Sequence, residues 1–313
     1  MVDIAMLGTG GGMPTVERYL SAALINFKGR KILIDCGEGT QVSMRILGWG
    51  FKSIDVICIT HWHGDHIVGL PGLLATIGNS GRVDPIILFG PKGIKDIING
   101  LRVIVPYLPY ELIILEEPKG IELSVGKNNM SVINDENGHI RLDSIRLDHS
   151  SPCIGYSFYI KRQPKFDVEK AMKNEVPKTL WNVLQKEGKA EVDKKIYTKD
   201  MVMGDERRGI KISYVTDTRP SEEIEEFIKE SNLFICEGTY GSDEDIEKAI
   251  KNKHMTFSEA AKLSEGGNVK ELLLTHFSPA LMEPELYKDN SINIFKNTVI
   301  SYDRIVKTIK YEE

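Results

Sequence analysis

The first sixty residues alternate short apolar runs with glycine-bearing turns. Residues 3–7 (DIAML), 21–27 (SAALINF) and 31–35 (KILID) are rich in aliphatic and β-branched side chains, so each predicts a strand. Residues 38–50 (EGTQVSMRILGWG) predict a helix that stops at glycine. Residues 55–60 (DVICIT) are nearly all apolar, the pattern of a strand covered on both faces. A polar cluster and a helix-like stretch follow in HWHGDHIVGLPGLLATIG. Further strands are expected at 86–89, 110–115, 120–125, 130–133, 140–147 and 153–161. Later in the chain KISYVT, NLFICEGT and ELLLTH predict strands, and SEEIEEFIKES, EDIEKAIKN and SEAAKLSE predict helices. Strands and helices thus alternate in the first and last thirds, which implies an α/β chain with helices flanking one mixed sheet or two.

Residues 161–208 break the pattern. They carry 13 Lys/Arg against 9 Asp/Glu, about +4, within a chain of net charge −5. A solvated insertion of mixed charge is the ordinary reading of such a run; a binding arm for a polyanion is the sharper one. With 313 residues, 41% of them hydrophobic and 27% charged, the chain can bury a large core, which excludes wholesale disorder and fibrous repeats. The negative net charge means that nucleic acid would have to be held by a local patch. MVDIAMLGTGGG has no basic segment leading into an apolar one, and no stretch approaches the roughly 18 apolar residues of a membrane span. Cys36, Cys58, Cys153 and Cys236 lie far apart without CxxC spacing. They read as reduced, mostly buried thiols of a cytoplasmic protein.

The chemistry concentrates after the strand at 55–60. His61, His63, Asp65 and His66 place three imidazoles and a carboxylate within six residues. These are the nitrogen and oxygen ligands that zinc takes in catalytic sites, and a loop leaving a rigid strand can bring them to one point. One loop cannot complete two metal shells, and the chain has seven histidines. His149 lies between two predicted strands, and His276 and Asp217 each end an apolar strand, where loops build sites. Glu237 ends another strand, where a carboxylate can also serve merely to cap a helix. His254 precedes a helix whose N-cap is read as Thr256, and taken alone it is an ordinary surface histidine. His139 reads as a turn residue. Gly8-Thr9-Gly10-Gly11-Gly12 is neither a P-loop, lacking the Lys-Ser/Thr, nor a dinucleotide fingerprint, since Met13 takes a required glycine position. A tight turn near the active site is the better account.

HxHxDH with a distant His, Asp and His resembles the metallo-β-lactamase superfamily, and within it the ribonuclease Z family of tRNA 3′-processing endoribonucleases. The likeness spans nearly the whole chain: GTGGGMPTVERYLSA, IDCGEGTQ, ITHWHGDHIVGLPGLL, YVTDTRP, CEGTY, HMT and LTHFS follow in the family's order. The chain departs from the pattern at Tyr19, where asparagine is frequent, at CEGT, which keeps only the glutamate of His-Glu-Ala-Thr, and at SPAL, which replaces an Arg-Tyr pair. The arm's glycine-proline signature is weak, with NEVPKTLWNVL the nearest match.

The resemblance implies a four-layer αββα sandwich formed by one domain over 1–313, with a flexible tRNA-binding arm inserted at about 161–208. It implies two Zn2+ per subunit, one on His61, His63 and His149, the other on Asp65, His66 and His276, with Asp217 bridging; Mn2+ or Fe2+ could use the same ligands. Asp65 would accept the proton of the attacking water. His254 would protonate the leaving oxygen, with Glu237 orienting it. Precursor tRNA would be the substrate, and the molecule would be a homodimer. A phosphodiesterase for cyclic nucleotides or related small esters shares the metal set and is the main alternative. A non-catalytic RNA-binding or metal-storage protein would be expected to lack a ligand, and none is missing. Lactam hydrolysis is disfavoured by the missing export signal.

Overall fold

Alternation along the strands determines how the layers stack. In the computed structural model, which describes residues 1–312, β1 (Val2–Gly8) sends Ala5 and Leu7 to one side and Ile4 and Met6 to the other, and all four are buried. The same holds for β2 (Ala22–Phe27), β3 (Arg30–Ile34), β4 (Ile54–Cys58) and β5 (Ile86–Gly90). β6 (Leu112–Glu116), which is partly exposed, ends this sheet. The chain then forms β7 (Ile121–Val125), β8 (Met130–Ile133), β9 (Ile140–Leu147) and β10 (Cys153–Arg162). A hairpin of β11 (Lys189–Val192) and β12 (Lys195–Thr198) follows. Last come β13 (Arg207–Val215), β14 (Leu233–Glu237), β15 (Leu272–Thr275), β16 (Thr298–Ile300) and β17 (Val306–Ile309).

Two large sheets result. One runs β17-β1-β2-β3-β4-β5-β6 and the other β16-β15-β14-β13-β10-β9-β7-β8. Leu24, Leu33, Ile57 and Leu88 of the first sheet pack under helices Thr40–Leu47, Leu70–Asn79 and Ile94–Leu101. Phe234, Cys236, Leu272 and Leu274 of the second pack under helices Glu222–Ile228 and Phe257–Gly266. Between the sheets, Tyr156 Oη donates to the Ile59 carbonyl at 2.7 Å and Ile154 N to the Thr60 carbonyl at 3.0 Å. This is the αββα sandwich expected from the sequence. Fully burying an aliphatic side chain stabilises by about 1.5–3 kcal/mol. Strands such as β4 and β14, buried at all five positions, are therefore rigid supports for the loops that leave them.

β3 to β6 are mutually parallel, and so are β13 to β16. Parallel strands release their loops from one end, where ligand sites form in open sheets. Residues 55–60 were expected to be strand throughout, but β4 stops at Cys58. Thr60 N turns instead to the buried Asp35 carboxylate at 2.8 Å, which starts the following loop.

The chain's two ends meet in the first sheet, where β17 pairs with β1. Asp303, between β16 and β17, reaches across to the glycine-rich turn. Its Oδ1 accepts from Thr9 N at 3.0 Å and Thr9 Oγ1 at 2.8 Å, and its Oδ2 from Tyr19 N at 2.8 Å.

By packing, the chain divides into Met1–Ile160 with Ile210–Lys310, and Lys161–Gly209 with the chain end from Tyr311. The second unit has a small core of its own, with Ala171, Val176, Leu184, Tyr197 and Val202 buried among Phe166, Leu180 and Trp181. Its hairpin turns at Asp193 and Lys194, both with positive φ.

Candidate metal centre

The sandwich brings every proposed ligand except His149 to the ends of its parallel strands, and His149 arrives from the turn of an antiparallel pair. β4 delivers His61 directly; His63 opens and Asp65 and His66 lie on the single helical turn Gly64–Ile67. β13 delivers Asp217, β15 delivers His276, and the turn between β9 and β10 delivers His149. The turn of Gly64–Ile67 lies against Gly37, where a Cβ would meet the Asp65 carbonyl at 2.4 Å. The start of the chain closes on the same point. Gly12 N donates to Asp65 Oδ2 at 2.6 Å, and a Cβ on Gly11 would meet the His276 ring at 2.4 Å. The glycine-rich segment is thus a close-approach turn at the site.

The side chains sort into two groups about Asp217. Its Oδ1 faces His61 Nε2 at 3.9 Å and His149 Nε2 at 3.8 Å, and His149 Nε2 lies 3.1 Å from His63 Nδ1. Its Oδ2 faces His66 Nε2 at 3.2 Å and His276 Nε2 at 3.3 Å. Asp65 Oδ2 stands 3.5 and 3.4 Å from those same two nitrogens. With bonds of 2.0–2.1 Å, two donors on one tetrahedral zinc are separated by about 3.3 Å. His61 Nε2 is buried and meets no hydrogen-bond partner among the described residues. Such a buried nitrogen calls for a partner, and a cation would supply one. Donor type, spacing and the unsatisfied nitrogen all fit a metal site.

Backing groups fix the rings. His66 Nδ1 lies 2.8 Å from Asp35 Oδ2, His61 Nδ1 3.1 Å from Thr60 Oγ1 and His276 Nδ1 3.1 Å from Thr239 Oγ1. Each contact occupies one ring nitrogen and aims the other inward. Asp35, Asp217 and His276 all have φ between 56° and 58°, in the left-handed region, so backbone strain is concentrated here.

The charges are strongly coupled. Burial alone would raise Asp217, yet His276, His66 and His61 hold its carboxyl well below the usual range. Burial would likewise raise Asp65, but hydrogen bonds with His276 and His66 depress it. Burial disfavours a charged His66; Asp217 and Asp35 outweigh that and raise it well above the ordinary imidazole value. His61 and His149 are lowered, first by burial, and so favour the neutral, metal-binding form.

His254 flanks this cluster, and Glu237 sits behind it. Glu237 is fully buried and acts as a hub. Its Oε1 accepts from Thr218 N at 2.7 Å; its Oε2 accepts from Thr239 Oγ1 at 2.6 Å and Met255 N at 3.0 Å, and lies 3.1 Å from His254 Nδ1. Burial works against a charge on His254, but Glu237 prevails and pushes its pKa up to about 9. The helix after His254 is capped as anticipated, with Thr256 and Glu259 forming a reciprocal box. Arg219 pairs with Glu259 and donates to the His254 carbonyl, which holds the loop in place. His139 accepts from Val125 N at 3.0 Å and belongs to none of the ligand groups found among the described residues.

His63, Asp65, His149, Asp217, His254 and His276 border a cleft of about 420 Å³. Sequence reasoning overlooked Asp35, Thr60 and Thr239. Asp35 could have been found, since it ends the apolar run KILID just as Asp217 ends its own. The four cysteines are free and buried, and no described helix is long and apolar enough to cross a membrane.

A sequence model of the family described as Anti-Pycsar protein Apyc1 matches residues 2–103. Over its whole length the chain is similar to ribonuclease Z of Clostridium botulinum (strain Eklund 17B / Type B), 61% identical across 99% of each chain. Among solved structures it is similar to the short form of human tRNase Z, with TM-score 0.67 and 26% identity over 98% of this chain and 99% of that one. It is also similar in fold to a long-form RNase Z from yeast, with TM-score 0.68 and 20% identity over 98% of this chain and 41% of that one.

Proposed function

Because the chain belongs to the ribonuclease Z family, we propose that it is a cytoplasmic, zinc-dependent endoribonuclease that removes 3′ trailers from tRNA precursors, leaving a 3′-hydroxyl and a 5′-phosphate. The observation that carries this reading is Asp217, whose two oxygens face separate groups of histidines beside a histidine–glutamate pair. His61, His63 and His149 would hold one Zn2+ and Asp65, His66 and His276 the other, with Asp217 shared; Mn2+ or Fe2+ could replace zinc. When bound, such a pair of cations offsets the charge of the phosphate in flight and makes hydroxide available at neutral pH.

The chain's own groups do the rest. Asp65, aimed by the Gly12 N–H, accepts the proton of the attacking water. His254 keeps Nδ1 on Glu237, so Nε2 is the nitrogen from which the departing 3′ oxygen takes its proton. Glu237 fixes that ring and, through Thr239, the ring of His276. The basic segment at 161–208 contacts tRNA phosphates, and the working molecule is a homodimer in which the arm of one subunit presents tRNA to the other.

The test is incubation of zinc-loaded protein with a labelled precursor tRNA carrying a 3′ trailer, followed by mapping of both new ends. One cut near the discriminator nucleotide with the stated ends is expected. Rapid hydrolysis of bis(p-nitrophenyl) phosphate without any cut in the precursor would refute this substrate and favour a small phosphodiester. The arm has its own test. β10 and β13 are sheet neighbours, so a short connection can replace residues 164–205. Its loss should raise KM for the precursor about tenfold or more, by removing phosphate contacts, and leave the small ester nearly unaffected. Equal loss on both substrates would count against an arm that binds tRNA.

A further inference from the structure

The carboxylates of Asp65 and Asp217 are among the groups lining the cleft, and a polyanionic strand bound there needs positive charge to offset them. Of the described residues lining the cleft, Lys251 and Lys253 carry a permanent positive charge. Lys253 is the better placed. It follows helix Ile246–Asn252 with φ of 59°, in the left-handed region, directly before His254. Its Nζ donates to Asp148 Oδ1 at 2.7 Å and to the His149 carbonyl at 3.3 Å. An ammonium has three donors, so one remains. The Asp148 side chain is 63% exposed and that of Lys253 39%, which makes the pair a screened surface contact, easily exchanged.

We propose that Lys253 is the cleft's phosphate-binding residue: its ammonium leaves Asp148 for a phosphate oxygen of the RNA next to the scissile bond, and Asp148 regulates that exchange. This rests on the endoribonuclease reading above. The residue contributes binding and register, while the proton transfers stay with Asp65 and His254. The competing role is a tether: the same two contacts fasten the loop of His149 to that of His254. The two roles differ in what removal of Asp148 does. Under the exchange, Asp148→Asn frees the ammonium and strengthens RNA binding. Under the tether, it weakens the site just as loss of Lys253 does.

The experiment measures kcat and KM of the zinc-loaded wild type, Lys253→Met and Asp148→Asn on precursor tRNA across a salt series, and on bis(p-nitrophenyl) phosphate, with metal content assayed in each. Lys253→Met should raise KM for the precursor about tenfold and flatten its log–log salt dependence by about 0.7–0.9, the change for one lost phosphate contact. Its effect on the small ester should be several-fold smaller. Asp148→Asn should lower KM for the precursor about two- to fivefold, as expected for releasing a weak ion pair. The proposal is overturned if the two variants shift that KM in the same direction, if Lys253→Met affects both substrates equally, or if the salt slope stays unchanged. A wild type that cuts the precursor while the variants behave like it overturns the phosphate contact alone. A wild type that hydrolyses only the small ester overturns the endoribonuclease reading, and this proposal with it.

Discussion

If the site holds two zinc ions as proposed, Asp217→Ala should deplete the protein of both and lower hydrolysis of precursor tRNA and bis(p-nitrophenyl) phosphate together by at least about a thousandfold, since the charge stabilisation the cations supply would go with them. The reason is the division of labour between its oxygens. Oδ1 is the carboxylate atom nearest His61 and His149, and Oδ2 is shared by His66 and His276. Removing one side chain therefore opens both groups at once and takes away the carboxylate that would offset the cations' charge. Asp217→Asn keeps the shape without the charge and should retain more metal than the alanine variant. The check is metal analysis of protein purified in zinc and then dialysed, alongside both assays. Full zinc occupancy in Asp217→Ala would eliminate the shared-ligand role.

His254→Ala should do the reverse: turnover falls about 10²- to 10⁴-fold, the usual range for a lost general acid, while zinc content stays near that of the wild type. His254 stands beside the ligand cluster but is held by Glu237 from behind. Its ring is 5.4 Å from that of His276 and 5.6 Å from that of His149, close enough to serve the same phosphate. The informative comparison is an ester with a much better leaving group, which needs little protonation. It should lose far less than the precursor does. Loss of zinc on this substitution would refute the assignment by making His254 a ligand.

The candidate site was legible partly because the dense HxHxDH run stands out and partly because Asp217, Glu237 and His276 end apolar strands, a position that can be read from the chain alone. Asp35 satisfies the same rule, but its task is to hold the far nitrogen of His66, and such pairing emerges only in three dimensions. Asp303 was invisible for a related reason: its partner Thr9 lies 294 positions away. The short strands β16 and β17, of three and four residues, carry too little pattern to stand out. Helix Ile94–Leu101 was missed although Ile94 and Ile98 are spaced to bury on one face. In the basic insertion the charges attracted notice and the apolar residues did not. Phe166, Trp181, Leu184 and Tyr197 have no common period, because short helices and a hairpin bring them together. The hairpin turn is Asp-Lys rather than Asn-Gly, so it gave no turn signal.

The clamp of Asp303 on Thr9 and Tyr19 has a consequence for how the protein is made. Synthesis delivers the glycine-rich turn first, yet the carboxylate that anchors it, and the strand that covers β1, come almost three hundred residues later. Domains tend to fold as units during translation, from the amino end as the chain emerges. By this reasoning Gly11 and Gly12 are expected to settle against His276 and Asp65 only once the last strand is made, so the cleft would be among the last parts of the molecule to close.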